Sequence, residues 1–545
     1  MTMTSTRKST VIPVAAAAVI VIIVIAGIFW LWPAYAPTSS GSTRIKQIAV
    51  ISIPDIHSAV LPHVNKNGTM IGGLARSEEV VRDVRKNYDG SLLLSAGDDL
   101  GNDESGMYFR LFRGVPERSA MSAMGFDAGT IGNHDFDEGP AAFAEALGVT
   151  SFPIVSANIR FDNTSVQDKV QPYIIRDVAG ARIGIFGLSY PDTEEYATDL
   201  QGITIDEDVS TIATDMVKEL RDQKVDLVIA LTHLGKKKDR DLAESVSGID
   251  LIIGGHDHIY YWDTATSPSG KKTIMTDGGV YGDSVSVLSF RYNGTGIDQP
   301  EWTVIPVDGL SGTNTTISAI LDPYTEQYRS WSDTVAGTID NTLDARNFNP
   351  ATGQSETGTF VTTAMRQYGE GSDIALCPTG SLNRSAVHPK GPVSRGELGL
   401  LIDHNNRLSF IRMPGRDIVK ALETGMSFLK PVNRNSTLIL TTVSPLTLQT
   451  SGLTMKVNLS HEAGTRISDV RVLNGTAYVP IDPDREYRVV VNTRIGQFDE
   501  GYKIFQNEPA GNVNNTDVRI LDTVMDYVAD RSPVQNPAPV LAASA

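Results

Sequence analysis

Apolar positions in this chain come in short unbroken runs, separated by stretches of helical period. Between residues 45 and 310 the runs fall at 48–52, 91–94, 183–186, 227–231 and 251–253. None of them alternates apolar with polar, so each predicts a strand covered on both faces. The intervening stretches 77–86, 139–147 and 211–223 predict helices. Strands and helices in alternation predict an α/β layered domain over 45–310. Residues 311–335 read as a linker carrying a helix at 318–333. A second domain, 336–531, mixes helices at 418–429 and 518–529 with β-like runs at 446–457 and 487–492. The Pro/Ala-rich tail, 532–545, predicts disorder.

One apolar run differs in kind. Residues 11–32 carry no charge and are long enough to cross a bilayer as a helix. Arg7 and Lys8 precede this run, which places 1–10 in the cytoplasm. The expected location is a cell membrane, single-pass, with the bulk of the chain outside it behind a flexible spacer at 33–44. The alternative is secretion after signal cleavage, because Ala34-Tyr35-Ala36 has the form of a cleavage site.

Composition narrows the class. A chain of 545 residues with 41% hydrophobic and 20% charged residues is ordinary folded protein and too long for one core. A net charge of -17 excludes a general nucleic-acid binder. It leaves room for an anionic small molecule, because bound divalent metals can dominate the local field. Cys377 is the only cysteine, so no intramolecular disulfide can form.

The chemistry collects where the strands end. The first gives Asp55-Ile56-His57 and the second Gly97-Asp98-Asp99. The short apolar stretch 128–131 is followed by Gly132-Asn133-His134-Asp135-Phe136-Asp137, the run 227–231 by Thr232-His233, and the run 251–253 by Gly254-Gly255-His256-Asp257-His258. Five of the nine histidines fall at these positions. In layered sheets of this kind ligands bind at the carboxyl ends of the strands. Carboxylate and amide oxygens mixed with imidazole suit Zn, Mn, Fe or Co better than Ca or Mg alone. Any one of these motifs has an ordinary reading as a tight turn; the ordered set does not.

These residues resemble the calcineurin-like metallophosphoesterases, and more specifically the 5'-nucleotidase family with its UDP-sugar hydrolase and cyclic-nucleotide phosphodiesterase members. Gly72-Gly73-Leu74-Ala75-Arg76 matches a family segment. In the second domain Gly358-Thr359-Phe360, Ser381-Leu382-Asn383-Arg384, Asn406-Arg407-Leu408, Ser451-Gly452-Leu453 and Gly501-Tyr502 follow in family order. The resemblance implies a metallophosphoesterase sandwich followed by an α/β 5'-nucleotidase-type substrate-binding domain. It implies two divalent ions, one held by Asp55, His57, Asp98 and His258, the other by Asp98, Asn133, His233 and His256, with Asp98 between them. His134 and Asp137 would form the acid-base dyad, although Asp137 also reads as a cap for the following helix. In the second domain it points to Arg384 and Asn406, with His404 and Arg494 at positions where family members stack an aromatic ring on the base, and Gly353 at an arginine position. The implied activity is hydrolysis of a nucleotide or related small phosphoester. Alternatives are another ester (UDP-sugar, cyclic nucleotide or thiosulfate-type) and a non-catalytic surface binding protein on the same scaffold.

Overall fold

The computed structural model describes residues 45–545 except 66, 102–106, 192–199, 201, 295, 370, 404–405, 435–436, 498–500, 536–541 and 544–545. The expected anchor at 11–32 and the candidate base-stacking residue His404 lie outside the described residues. Among the described residues no helix is long and apolar enough to cross a membrane.

The apolar runs are strands, and their even hydrophobicity has a simple cause: alternate residues serve two different cores. Ile48 and Val50 of Lys46–Ser52 point one way with Leu92 and Leu94, and Ala49, Ile51 and Leu93 point the other. The first set meets Ile183, Ile185, Leu227, Ile229, Leu251 and Ile253 from an opposing sheet. The second set packs under the helices Leu74–Arg85, Val115–Met124 and Gly139–Val149. Fully burying each aliphatic side chain stabilises by about 1.5–3 kcal/mol, so a polar residue on either face would be costly.

The strands that the apolar rhythm groups together thus divide between two stacked sheets. The larger has seven strands in the order Ile297–Pro306, Ser284–Tyr292, Lys46–Ser52, Gly90–Ser95, Ala128–Gly129, Ile154–Val155 and Val170–Gln171. The other has six, Tyr260–Thr266, Lys272–Gly278, Leu251–Gly254, Leu227–Thr232, Ala181–Leu188 and Tyr173–Val178. Phe186, Val228, Ala230 and Ile252 cover its outer face under the helices Val209–Asp222 and Gly235–Ser245. Lys46–Ser52 runs parallel to Gly90–Ser95 and antiparallel to Ser284–Tyr292. Parallel neighbours bring successive carboxyl ends to one rim of the sandwich.

The linker helix is Thr315–Ser332, three residues earlier at its start than the sequence predicts, because the Asn314 side chain accepts from the N–H groups of Thr316 and Ile317. Its Ile317 and Leu321 join the first-domain core. The second domain is built on the strands Leu448–Ser451, Ile374–Pro378, Glu486–Asn492, Arg407–Pro414 and Val513–Arg519. Helices Glu356–Gln367 and Ile520–Arg531 cover one face and Gly415–Ser427 the other. The β-like run expected at 446–457 is two strands in two sheets. Gly452, at φ 84°, turns the chain so closely past Asp373 that a Cβ would lie 2.1 Å from its carbonyl oxygen. The tail also departs from expectation. Val534 is buried and exchanges backbone hydrogen bonds with Thr338 and Asp340, and Ala542–Ala543 pairs with Lys456–Val457.

Candidate metal centre and catalytic dyad

All five motifs lie on turns leaving the carboxyl ends of their strands, and the turns are wound tightly. Asp55, His57, Asp98, His256 and His258 all have left-handed backbone, with φ of 50°, 49°, 51°, 86° and 57°. A non-glycine residue held in such a sparsely populated region costs about 1–3 kcal/mol and persists only where its surroundings fix it. Two glycines make the approach possible. A Cβ on Gly132 would fall 2.0 Å from Asp98 Oδ1, and one on Gly255 would fall 2.6 Å from Asp55 Oδ2.

The side chains form two groups. Asp55, His57 and His258 each bring a ligand atom within 4.8 Å of the others, as do Asp98, His233 and His256. Asp98 joins them, its Oδ2 lying 3.0 Å from His233 Nε2 and 3.7 Å from His57 Nε2. In the first group His57 Nε2 and His258 Nε2 are 2.9 Å apart. In the second, Asn133 Oδ1 lies 3.2 Å from His233 Nε2 and 3.0 Å from His256 Nδ1.

Proton accounting tests whether these groups suit a cation. His233 Nδ1 is 2.8 Å from the Ala96 carbonyl, which can only accept, so Nδ1 carries a proton. In the neutral ring Nε2 is then a lone pair, aimed at two oxygens that are also acceptors. Three acceptors facing one another need positive charge among them, either a proton on Nε2 or a metal ion. A backbone carbonyl holding the far nitrogen is also the usual support of a metal-ligating histidine. The residues fit two divalent ions.

Electrostatics agree. Burial would lower His233, but Asp98 beside it, together with Asp55 and the Ala96 carbonyl, raises it to about 10. Burial would raise Asp98, yet His233, His134 and His57 hold it well below the usual carboxylate range. Burial dominates at His57, held well below its ordinary value, and at His256, lowered to about 4 with His233 also opposing its charge. Burial lowers His258 as well. These three rings are therefore neutral donors at neutral pH.

His134 and Asp137 sit at the edge of this cluster. His134 Nδ1 is 3.0 Å from Asp137 Oδ2, and the His134 backbone N–H donates to Asp98 Oδ1 at 2.8 Å. Burial opposes the imidazolium, but Asp137 and Asp98 outweigh it and raise His134 to about 9. Asp137 does not cap the next helix; Glu138 occupies that position.

The chain's relatives point the same way. Residues 48–260 match the calcineurin-like phosphoesterase family, and residues 335–507 match the 5'-nucleotidase, C-terminal domain. The chain belongs to the 5'-nucleotidase family of calcineurin-like phosphoesterases. It is thus a phosphoric ester hydrolase. It is 28% identical over 490 residues to the trifunctional nucleotide phosphoesterase protein YfkN of Bacillus subtilis, covering 82% of this chain and 32% of that one. The chain therefore spans about a third of that relative's length. It is 24% identical to the NAD 5'-nucleotidase of Haemophilus influenzae over 87% of this chain and 88% of that one. The crystal structure of a 5'-nucleotidase precursor from Thermus thermophilus aligns with a TM-score of 0.68 at 25% identity, covering 91% of this chain and 99% of that one.

Arg384 is exposed and lines a cavity of about 330 Å³ with Phe348, Gly353, Thr379, Thr442 and Val443. Asn406 and Arg494 are half-buried and are not among its lining residues; the Asn406 carbonyl accepts from the Ile520 N–H at 3.0 Å. The seven candidate ligands and the dyad are brought together, and of the described second-domain candidates Arg384 alone lines this cavity.

Several residues around the site carried no role in the sequence. Asp135 is buried, accepts from the Gly132 and Leu100 N–H groups, and lies 3.3 Å from Arg118 Nη2. Arg118, itself fully buried, donates to Asp99 at 2.6 Å. One guanidinium thereby ties the turn bearing Asp98 to the turn bearing His134. Tyr190 stacks on His256 at 4.1 Å between ring centres, with the Lys238 ammonium 4.3 Å from its ring centre. Asp277, at the end of Lys272–Gly278, is buried and raised to about 8, chiefly by that burial. A buried arginine 19 and 17 residues from its partners leaves no local signal; an acid at the end of a strand would have been the one visible clue.

Proposed function

We propose that this chain hydrolyses nucleotides or closely related small phosphoesters on the outer side of a cell membrane. The observation that carries the reading is the single Asp98 oxygen set between two groups of imidazole and oxygen donors. Asp55, His57, Asp98 and His258 would hold one divalent ion, and Asp98, Asn133, His233 and His256 the other. A pair of ions there (Zn, Mn, Fe or Co) supplies charge that acidifies a water and neutralises phosphoryl oxygens.

The chain's own groups do the rest. Asp137 holds His134 by Nδ1, leaving Nε2 to carry the proton given to the departing alkoxide. Asp137 also keeps the imidazolium charged, so that it can stabilise negative charge developing on the phosphoryl group. Asp135 and Arg118 keep the two turns in register. The relative named a nucleotide phosphoesterase and those named 5'-nucleotidases support a nucleotide substrate. The charge-free stretch 11–32 after Arg7 and Lys8 supports a membrane anchor, with secretion after cleavage as the other outcome.

A second reading, cleavage of a sugar nucleotide, a cyclic nucleotide or a thiosulfate-type ester, is favoured by one feature. Gly353 and Arg384 line the same cavity, and the resemblance leads one to expect a second arginine at Gly353. A panel of AMP, ADP, ATP, UDP-glucose, 2',3'-cyclic AMP and thiosulfate esters separates the readings, with metal content measured on the same protein. Turnover of the 5'-nucleotides above the other esters supports the first. Activity confined to non-nucleotide esters overturns the substrate assignment and leaves the metal site standing, whereas an absence of transition metal and of turnover with added Mn or Co overturns both.

A further inference from the structure

The second domain reaches the dyad through two arginines. Arg407 opens the strand Arg407–Pro414, Arg519 closes its neighbour Val513–Arg519, and the antiparallel register sets the two opposite each other. Like charges directly across a sheet destabilise it, and these two are buried as well, at 8% exposure each. Within the second domain, Arg407 Nε lies 3.5 Å from Asp517 Oδ1, a carboxylate 97% exposed to water, which offsets little of that cost.

The reason for the pair lies across the domain boundary. Arg519 Nη2 donates to the Asp137 carbonyl oxygen at 2.8 Å and pairs with the Glu138 carboxylate. Arg407 Nη2 donates to the same carbonyl at 3.4 Å. A reciprocal pair runs the other way: Arg110, on the first-domain helix Met107–Phe112, donates from Nη1 to both Asp522 oxygens at 2.7 and 2.9 Å. Asp522 in turn accepts the Arg519 backbone N–H at 3.1 Å, so the same carboxylate that docks Arg110 fixes where Arg519 starts.

We propose that Arg519, with Arg407 beside it, is a positioning group for the His134–Asp137 dyad, delivered to the first domain by the second. The inference rests on the dyad reading above. Asp137 uses its carboxylate to hold His134 and its carbonyl to accept from Arg519. Fixing that carbonyl and the next side chain fixes the peptide plane from which the Asp137 side chain departs. The planar guanidinium makes both contacts at a set angle, which one ammonium cannot reproduce. Phosphoryl chemistry in the first domain then depends on the second being docked, independently of what the second domain binds.

The test uses the full-length, metal-loaded chain carrying Arg519→Ala, Arg519→Lys or Glu138→Gln. Amide hydrogen exchange over residues 132–139 is expected to speed up in Arg519→Ala and in Glu138→Gln, with exchange in the strand Lys46–Ser52 unchanged. For p-nitrophenyl phosphate, Arg519→Ala is expected to lower kcat by about ten- to a hundredfold, with KM within about twofold and metal content intact. Arg519→Lys should recover part of that loss. Unchanged exchange over 132–139 overturns the proposal, and so does acceleration spread evenly through the first domain, which would make the arginine a folding residue only. If the wild-type chain turns over no phosphoester, the activity reading fails, and exchange in the turn still decides the clamp.

Discussion

At the scale of single residues, Asp137 sets the charge on its neighbour. Burial works against a charged His134, so the imidazolium depends on the carboxylate 3.0 Å away and on Asp98. Replacing Asp137 with Ala removes the nearer opposing charge while leaving the burial. In metal-free protein the His134 titration followed by NMR should therefore drop from about 9 towards or below 6.5. A titration that stays near 9 in Asp137→Ala would show that Asp137 does not hold the proton. His134→Ala should lower turnover by about 10²- to 10⁴-fold, the usual worth of a positioned acid or base, with both metals still bound. Loss of metal in that variant would instead make His134 part of the metal shell. His134 meets the ligands through its backbone N–H on Asp98, so metal retention is the expected outcome.

At the scale of elements, the site depends on turns with no room to spare. Gly132→Ala places a Cβ 2.0 Å from Asp98 Oδ1 and 2.5 Å from the Asp98 nitrogen. Overpacking of this kind costs about 1–3 kcal/mol, and here it displaces the carboxylate shared by both ligand groups. The expected result is a folded chain with weaker metal binding, measured by metal content after dialysis against dilute chelator; full occupancy would show that the turn can yield. Such turns are why much of the site was legible in the sequence. A buried strand leaves an unbroken apolar run, and the polar residues just after it, Asp55 to His57 or His256 to His258, stand out by contrast. What was not legible depends on pairing at a distance. Arg118 and Asp135, or Arg519 and Glu138, carry no mark of each other in the chain, and Gly452 reads as an interruption until Asp373 is seen beside it. The strands 260–266, at a sheet edge, and 284–292, one strand in from an edge, were missed because polar residues break up their apolar positions and no continuous run forms.

At the scale of the whole molecule, the first domain concentrates ionisable groups that only a cation can reconcile. In metal-free protein His233 is raised to about 10 and His134 to about 9, each by neighbouring carboxylates that together outweigh burial, while burial raises Asp277 to about 8. The sign is the same for all three. A group whose folded pKa exceeds its unfolded value contributes stability below the unfolded value and loses it as pH rises through the folded one. For the two histidines that window runs from 6.5 to 9 and from 6.5 to 10, and Asp277 adds to the loss up to about 8. His57, His256 and His258 are lowered, so they are already neutral above 6.5 and do not offset it. The chelated protein should thus lose stability steadily from pH 6.5 to 10, as read by denaturant midpoints across that range. Bound ions replace the protons on the ligands, and a site filled at a thousandfold over its dissociation constant gains about 4 kcal/mol. At roughly 2–4 °C per kcal/mol for a domain of this size, calorimetry should show chelation lowering the first-domain transition by about 10 °C. The second domain has its own cores on either face of its central sheet and none of the candidate ligands. Its transition should move only through the contacts between the domains, those of Arg110, Arg407 and Arg519 and of Met107 in the second-domain core, and an equal shift in both transitions would mean that these contacts make the two domains unfold as one.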